Sequence, residues 1–172
     1  MSDPGAPYRL MARNNAWANA TLYGAISDQV WDRPAPGFFG SMSRTMNHLY
    51  EVDLYYVDAL QEGGLGRSVY QREDVTNPGA LATLQAMVDA RLIAFCDQLT
   101  VETLAETRAT ERKDATSKEG VEPLLLHLFQ HQIHHRGQAH TQLHHAGITP
   151  PQLDDFHLEF GRVPSAEDYL RV

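Results

Sequence analysis

The chain has 172 residues, 42% hydrophobic and 21% charged, which suits one soluble globular domain able to bury a core without a second domain or covalent staples. Its formal net charge of -8, from 14 basic residues scattered among 22 acidic ones, speaks against a nucleic-acid partner and an anionic membrane surface, since both require clustered Lys and Arg. The single cysteine, Cys96, cannot form an internal disulfide, and its neighbours Leu92, Ile93, Phe95 and Leu99 mark it as a small apolar residue inside a helix.

The first residues, Met-Ser-Asp-Pro-Gly-Ala-Pro, are too rich in proline and glycine for a helix. They carry no basic region followed by an apolar run, and no uninterrupted apolar span approaches the roughly 18 residues needed to cross a bilayer. A cytoplasmic protein is expected. Residues Tyr8 to Ile26 then place Leu10, Met11, Trp17, Ala20, Leu22, Tyr23 and Ile26 at helical spacing. After a loop through Pro34 and Pro36, Ser41 or Ser43 can cap a second helix with a stripe of Met42, Leu49, Val52, Tyr56 and Leu60, stopped by Gly63-Gly64.

Asn77-Pro78 opens a third helix, with Leu81, Leu84, Met87, Val88, Leu92, Phe95 and Leu99 as its apolar positions. The segment from Thr100 to Gly120 turns polar, and Glu106 to Thr110 with Asp114 to Ser117 can form a small hairpin or an extended loop. The fourth helix runs from about Val121 to Ala146, with Gly147 as its stop and Pro150-Pro151 beyond. The tail from Leu153 to Tyr169 shows no clear period. The pattern predicts an all-α single domain, a four-helix bundle of antiparallel or crossover connection.

Five of nine histidines lie between His127 and His140 on the fourth helix. On a wheel of about 100° per residue, Leu125, Leu128, Phe129, Ala139 and Leu143 form the apolar sector. His131 and His135 flank it where a neighbouring helix can reach them, and a pair four apart on a helix can close on one metal. His127, His134, His144 and His145 read as solvated, and His140 as a hydrogen-bonded core or interface histidine. Two imidazoles alone hold a metal weakly, so a third ligand must come from elsewhere. His48, at the edge of the second helix's stripe, is the natural candidate, whereas His157 lies in the tail. Periodicity alone leaves His48 open between a ligand and a partly buried polar residue.

Other metal signatures are missing: no His-Glu-x-x-His, no Glu-x-x-His, no cysteine pair, no glycine-rich phosphate loop and no Gly-x-Ser-x-Gly turn. A histidine-only mononuclear site remains.

Several segments together resemble the DinB family, damage-inducible-type four-helix bundles grouped with metal-dependent enzymes and bacterial thiol transferases. They are Arg13-Asn14-Asn15-Ala16-Trp17-Ala18-Asn19, Phe38-Phe39-Gly40-Ser41, Thr45-Met46-Asn47-His48-Leu49 with Val52-Asp53, His131-Gln132-Ile133-His134-His135-Arg136-Gly137-Gln138, and Gly147-Ile148-Thr149-Pro150-Pro151. The resemblance implies a divalent metal, zinc or nickel, held by His48, His131 and His135. It leaves open whether Asp53 orients a ligand or makes a structural ion pair.

Three imidazoles leave room on the ion for water or substrate, the arrangement of a catalytic site. The resemblance then implies activation of a low-molecular-weight thiol for transfer to an electrophilic small molecule. A metal-dependent hydrolase and a non-catalytic, stress-related metal-binding protein or structural dimer are the alternatives. A homodimer is the expected assembly.

Overall fold

The structure is a computed structural model and describes residues 3–171. Its long helices are α1 (Ala6–Gly24), α3 (Met42–Leu60), α4 (Pro78–Asp97) and α6 (Val121–His145), accompanied by short helices α2 (Asp28–Trp31), α5 (Val101–Ala105) and α7 (Glu167–Leu170). Local chemistry sets most boundaries. Ser41 caps α3 by accepting from the Arg44 N–H at 3.3 Å, and Asn77 caps α4 by accepting from the Ala80 N–H at 2.9 Å. Gly147, at φ 82°, takes the left-handed turn that ends α6.

Two boundaries depart from the sequence expectation. The first helix starts at Ala6 and includes Pro7, because a proline in the first turn lacks only an N–H that had no intrahelical acceptor. The left-handed turn after α3 begins at Glu62, with φ 55°, ahead of the glycine pair.

Side-chain pairs give the helix directions. Thr45 meets Gln142 at 3.1 Å while Tyr56 meets His127 edge to face, so α3 and α6 are antiparallel. Arg13 pairs with Asp97 at 2.8 Å and Asn19 with Asp89 at 3.1 Å, so α1 and α4 are antiparallel as well. Asp53 meets Gln85, and Gln61 just past α3 meets Arg91, so α3 and α4 run parallel. Residues 61–77 therefore cross the length of the bundle, with a 3-10 turn at Gly66–Gln71 on the way. The connection is of the crossover kind.

The expected hairpin is present as antiparallel strands β1 (Thr107–Glu111) and β2 (Thr116–Gly120), the second lying closer to α6 than the sequence suggested. Tyr55 of α3 donates to the Glu111 carbonyl at 2.6 Å and ties the hairpin to the bundle. The tail docks on α1: Phe156 is fully buried against Trp17, whose Nε1 donates to Ser165 Oγ at 3.0 Å. So few anchors leave no period in the sequence.

Leu49, Leu81, Leu92, Leu125, Leu128 and Leu143 fill the apolar core, together with Cys96, whose thiol burial pushes up to about 12. Among the described helices α4 is long and apolar enough to cross a membrane by length and composition. Here its Gln85 and Asp89 are buried in a polar network shared by all the long helices. Arg136 of α6 donates from Nη1 to Asn15 (2.5 Å), Asn19 (3.0 Å) and Gln132 (3.1 Å). Asp89 accepts from Asn15, Asn19 and Gln85, and Asp53 accepts from Gln85 at 2.7 Å.

Burial raises Asp53 to about 8, with the Asp89 charge adding to the shift, and raises Asp89 to about 6. At neutral pH Asp53 is thus protonated, and Asp89 is the counter-charge to Arg136. The folded chain keeps the Asp53 proton up to about pH 8, whereas the unfolded chain releases it above 3.8. Over that window the folded state binds the extra proton, and its stability falls as pH rises. Asp53→Asn removes this contribution, so its melting temperature should gain on that of the parent as pH is raised from about 5 to about 8. A constant difference across that range would show that Asp53 is ionised in the fold.

Candidate metal centre

The antiparallel contact of α3 with α6 brings His48, His131 and His135 together. A ring nitrogen of each lies within 4.8 Å of the other two, and among the described residues no other such group of His, Cys, Asp or Glu forms. The Nε2 atoms of His48 and His131 are 3.1 Å apart, and the His131 and His135 ring centroids 4.2 Å apart. Two nitrogens on one tetrahedral zinc, each at roughly 2.0–2.1 Å, stand about 3.3 Å apart. The donor set therefore fits a divalent ion with little movement.

Burial first and the neighbouring histidines second lower all three imidazoles from 6.5, His48 to about 4 and His131 to about 3. All are neutral at pH 7 and have a lone pair to give. His135 Nδ1 lies 2.9 Å from Gln138 Oε1, an atom that can only accept, so Nδ1 carries the proton and Nε2 is free for a metal. The Gln138 amide in turn donates to His134 Nε2 at 3.1 Å. Its orientation thus satisfies both contacts.

Phe39 closes one side, its ring centroid 4.5 Å from that of His48 and 5.5 Å from that of His135. On the other side His127 lies on Tyr56 at 5.0 Å and is 6.2 Å from His131. His48 and His131 stay half-buried, so the cluster is not sealed from solvent. A groove of about 540 Å³ between α1 and α4 contains none of the three histidines.

The other histidines divide as follows. His127, His134, His144 and His145 are exposed, as the wheel predicts. The expectation for His140 is corrected: it is half-buried, makes no hydrogen bond among the described residues and lines a cavity at the edge of the core. Its place one turn beyond Arg136 puts it over the gap between α6 and the tail. His157 meets Phe156 edge to face, away from the cluster. Asp53 takes part in the polar network and makes no hydrogen bond to the histidines. Sequence reasoning passed over Gln138 and Phe39, although Gln138 stands at the helical spacings of three from His135 and four from His134.

The model of the DinB family matches residues 1–166. The chain belongs to the DinB family. Its fold is similar to that in the crystal structure of a DinB-like protein, YjoA, from Bacillus subtilis, with a TM-score of 0.61 and 21% identity over 87% of this chain and 96% of that one. Among curated proteins none matches the chain in sequence. Family, helical bundle and a histidine cluster able to hold a metal thus agree with the reading of the sequence.

Gln138→Leu removes the acceptor that sets the His135 tautomer. It should weaken metal binding by about 10–100-fold, measured by chelator competition, with the helical spectrum unchanged. Unaltered affinity would show that Gln138 does not orient the ligand.

Proposed function

We propose that this DinB protein is a metal-dependent enzyme that uses a low-molecular-weight thiol to attack an electrophilic small molecule, with His48, His131 and His135 as the metal ligands. The observation that carries the reading is the convergence of three neutral imidazoles at a cluster left partly open, a donor set short of the four ligands of a closed structural site. A divalent ion held there would supply Lewis acidity, lowering the pKa of a thiol so that it reacts as the thiolate at neutral pH.

The protein's own groups have separable tasks. His131 and His135, one turn apart on α6, give two donors in fixed register, and His48 gives the third from α3. Gln138 holds His135 in the tautomer that presents Nε2. Phe39 shields His48 and His135 from water, which strengthens electrostatic interactions at the cluster. Zinc and nickel both suit three imidazoles, and supply as much as geometry selects between them.

The test uses untagged protein, since a histidine tag would add ligands. Elemental mass spectrometry should find about one zinc or nickel per chain, and the ion should be lost in His135→Ala. The loaded protein should then accelerate conjugation of a small thiol to monochlorobimane, and chelation should abolish the effect. Ester hydrolysis without thiol would instead assign the site to a hydrolase. Absence of stoichiometric metal after reconstitution would sink both enzymatic readings.

A further inference from the structure

On the side of α6 away from α3, that helix, α1 and the tail enclose a cavity of about 500 Å³ that none of the three metal-site histidines lines. Its size is that of a small-molecule site. Met11, Ile133 and Leu153 give it apolar walls.

Two polar side chains line the same cavity although both are more than nine-tenths buried: Arg136 at 5% exposure and Asn14 at 7%. Arg136 directs Nη1 alone into the network, to Asn15, Asn19 and Gln132. Its Nε and Nη2 make no hydrogen bond among the described residues, and neither does the amide of Asn14. None of these atoms belongs to the sealed, unpartnered polar atoms of the interior. The cavity is therefore the space they face. No carboxylate among the described residues is in ion-pair contact with Arg136, and Asp89, the ionised member of the acidic pair, acts on it through space.

A buried guanidinium with the Nε–Nη2 edge free is shaped for side-on, two-point binding of a carboxylate. Asn14 can add a third donor. The other charged or titratable wall groups are Asp154, His140 and His157. Asp154 disfavours a ligand with a second negative charge, and the apolar walls favour one with a hydrocarbon body.

We propose that this cavity binds a small monocarboxylate, whose oxygens accept from Arg136 Nε and Nη2 and from Asn14 Nδ2 while its apolar part lies on Met11, Ile133 and Leu153. The site is distinct from the metal cluster and stands whether or not the thiol chemistry does.

The test titrates benzoate into the isotope-labelled, metal-loaded full chain and follows the Asn14 side-chain amide and the Gly137 backbone amide by NMR. Both signals should shift saturably, and benzamide should bind about tenfold more weakly or worse, because it forfeits the charge-assisted bonds. Asn14→Leu leaves the network around Arg136 intact. It should retain its metal and melting temperature yet lose about fivefold in benzoate affinity. Affinity should be unchanged in His48→Ala, which has no metal for a carboxylate to ligate. Equal binding of benzoate and benzamide, no saturable shift, full affinity in Asn14→Leu, or loss of binding in His48→Ala would each overturn the proposal.

Discussion

Arg136 is a full positive charge placed where four helices meet, and the bundle is arranged around its needs. A guanidinium taken out of water costs several kcal/mol unless donors and charge are answered. Here Asn15 and Asn19 of α1 and Gln132 of α6 accept from it, while Asp89 of α4 supplies the opposing charge from beyond ion-pair contact. Asp53 of α3 joins through Gln85 and stays protonated, which spares the interior a second anion. Each long helix thus contributes side chains whose hydrogen bonds hold one rotation and one register, although Asp53 Oδ1, Gln85 Oε1 and Gln132 Nε2 are buried without a hydrogen-bond partner among the described residues. Apolar packing alone would tolerate several such registers.

That constraint reaches the histidines through the geometry of α6. Gln132 and Arg136 follow His131 and His135 by one residue each, a turn of about 100° on the helix. With Gln132 and Arg136 fixed toward the centre of the bundle, His131 and His135 have to face α3, where His48 stands. Removing Arg136 would therefore disturb the cluster without touching a ligand. The same fixed placement leaves the Nε edge of Arg136 on the far side of α6, facing the cavity between that helix and the tail.

How much of this could be read from residues alone depended on whether a residue's environment was periodic. His131 and His135 lie beside an apolar sector, so the wheel pointed them at a neighbouring helix. His48 sits singly at the edge of a stripe, and only the likeness of its surroundings to the family motif marked it as a candidate ligand. The caps at Ser41 and Asn77 follow from local chemistry and were legible. The polar network was not, because Asn15, Asn19, Gln132 and Arg136 look like solvated residues to any pattern that equates polarity with exposure. The crossover was open for a related reason: helix direction is decided by contacts such as Asp53 with Gln85, far apart in sequence. In the tail, Phe156 and Ser165 meet Trp17 without any period to announce them.

The arrangement of the cluster also bears on what a metal there is for. Small metal-stapled domains are unfolded without their ion, since ligand contacts replace a core they lack. This chain has a continuous apolar core with many fully buried leucines, and it has the hydrogen-bonded network beside it. Its ligands are already within reach of one another, His48 and His131 at 3.1 Å, and burial keeps them neutral. Binding an ion would then spend little on ordering the protein, and the fold would gain little that it does not already possess. Three imidazoles held ready by the scaffold, where a closed site would need four donors, are a better match to the proposed chemistry at an open position than to a metal that holds helices together.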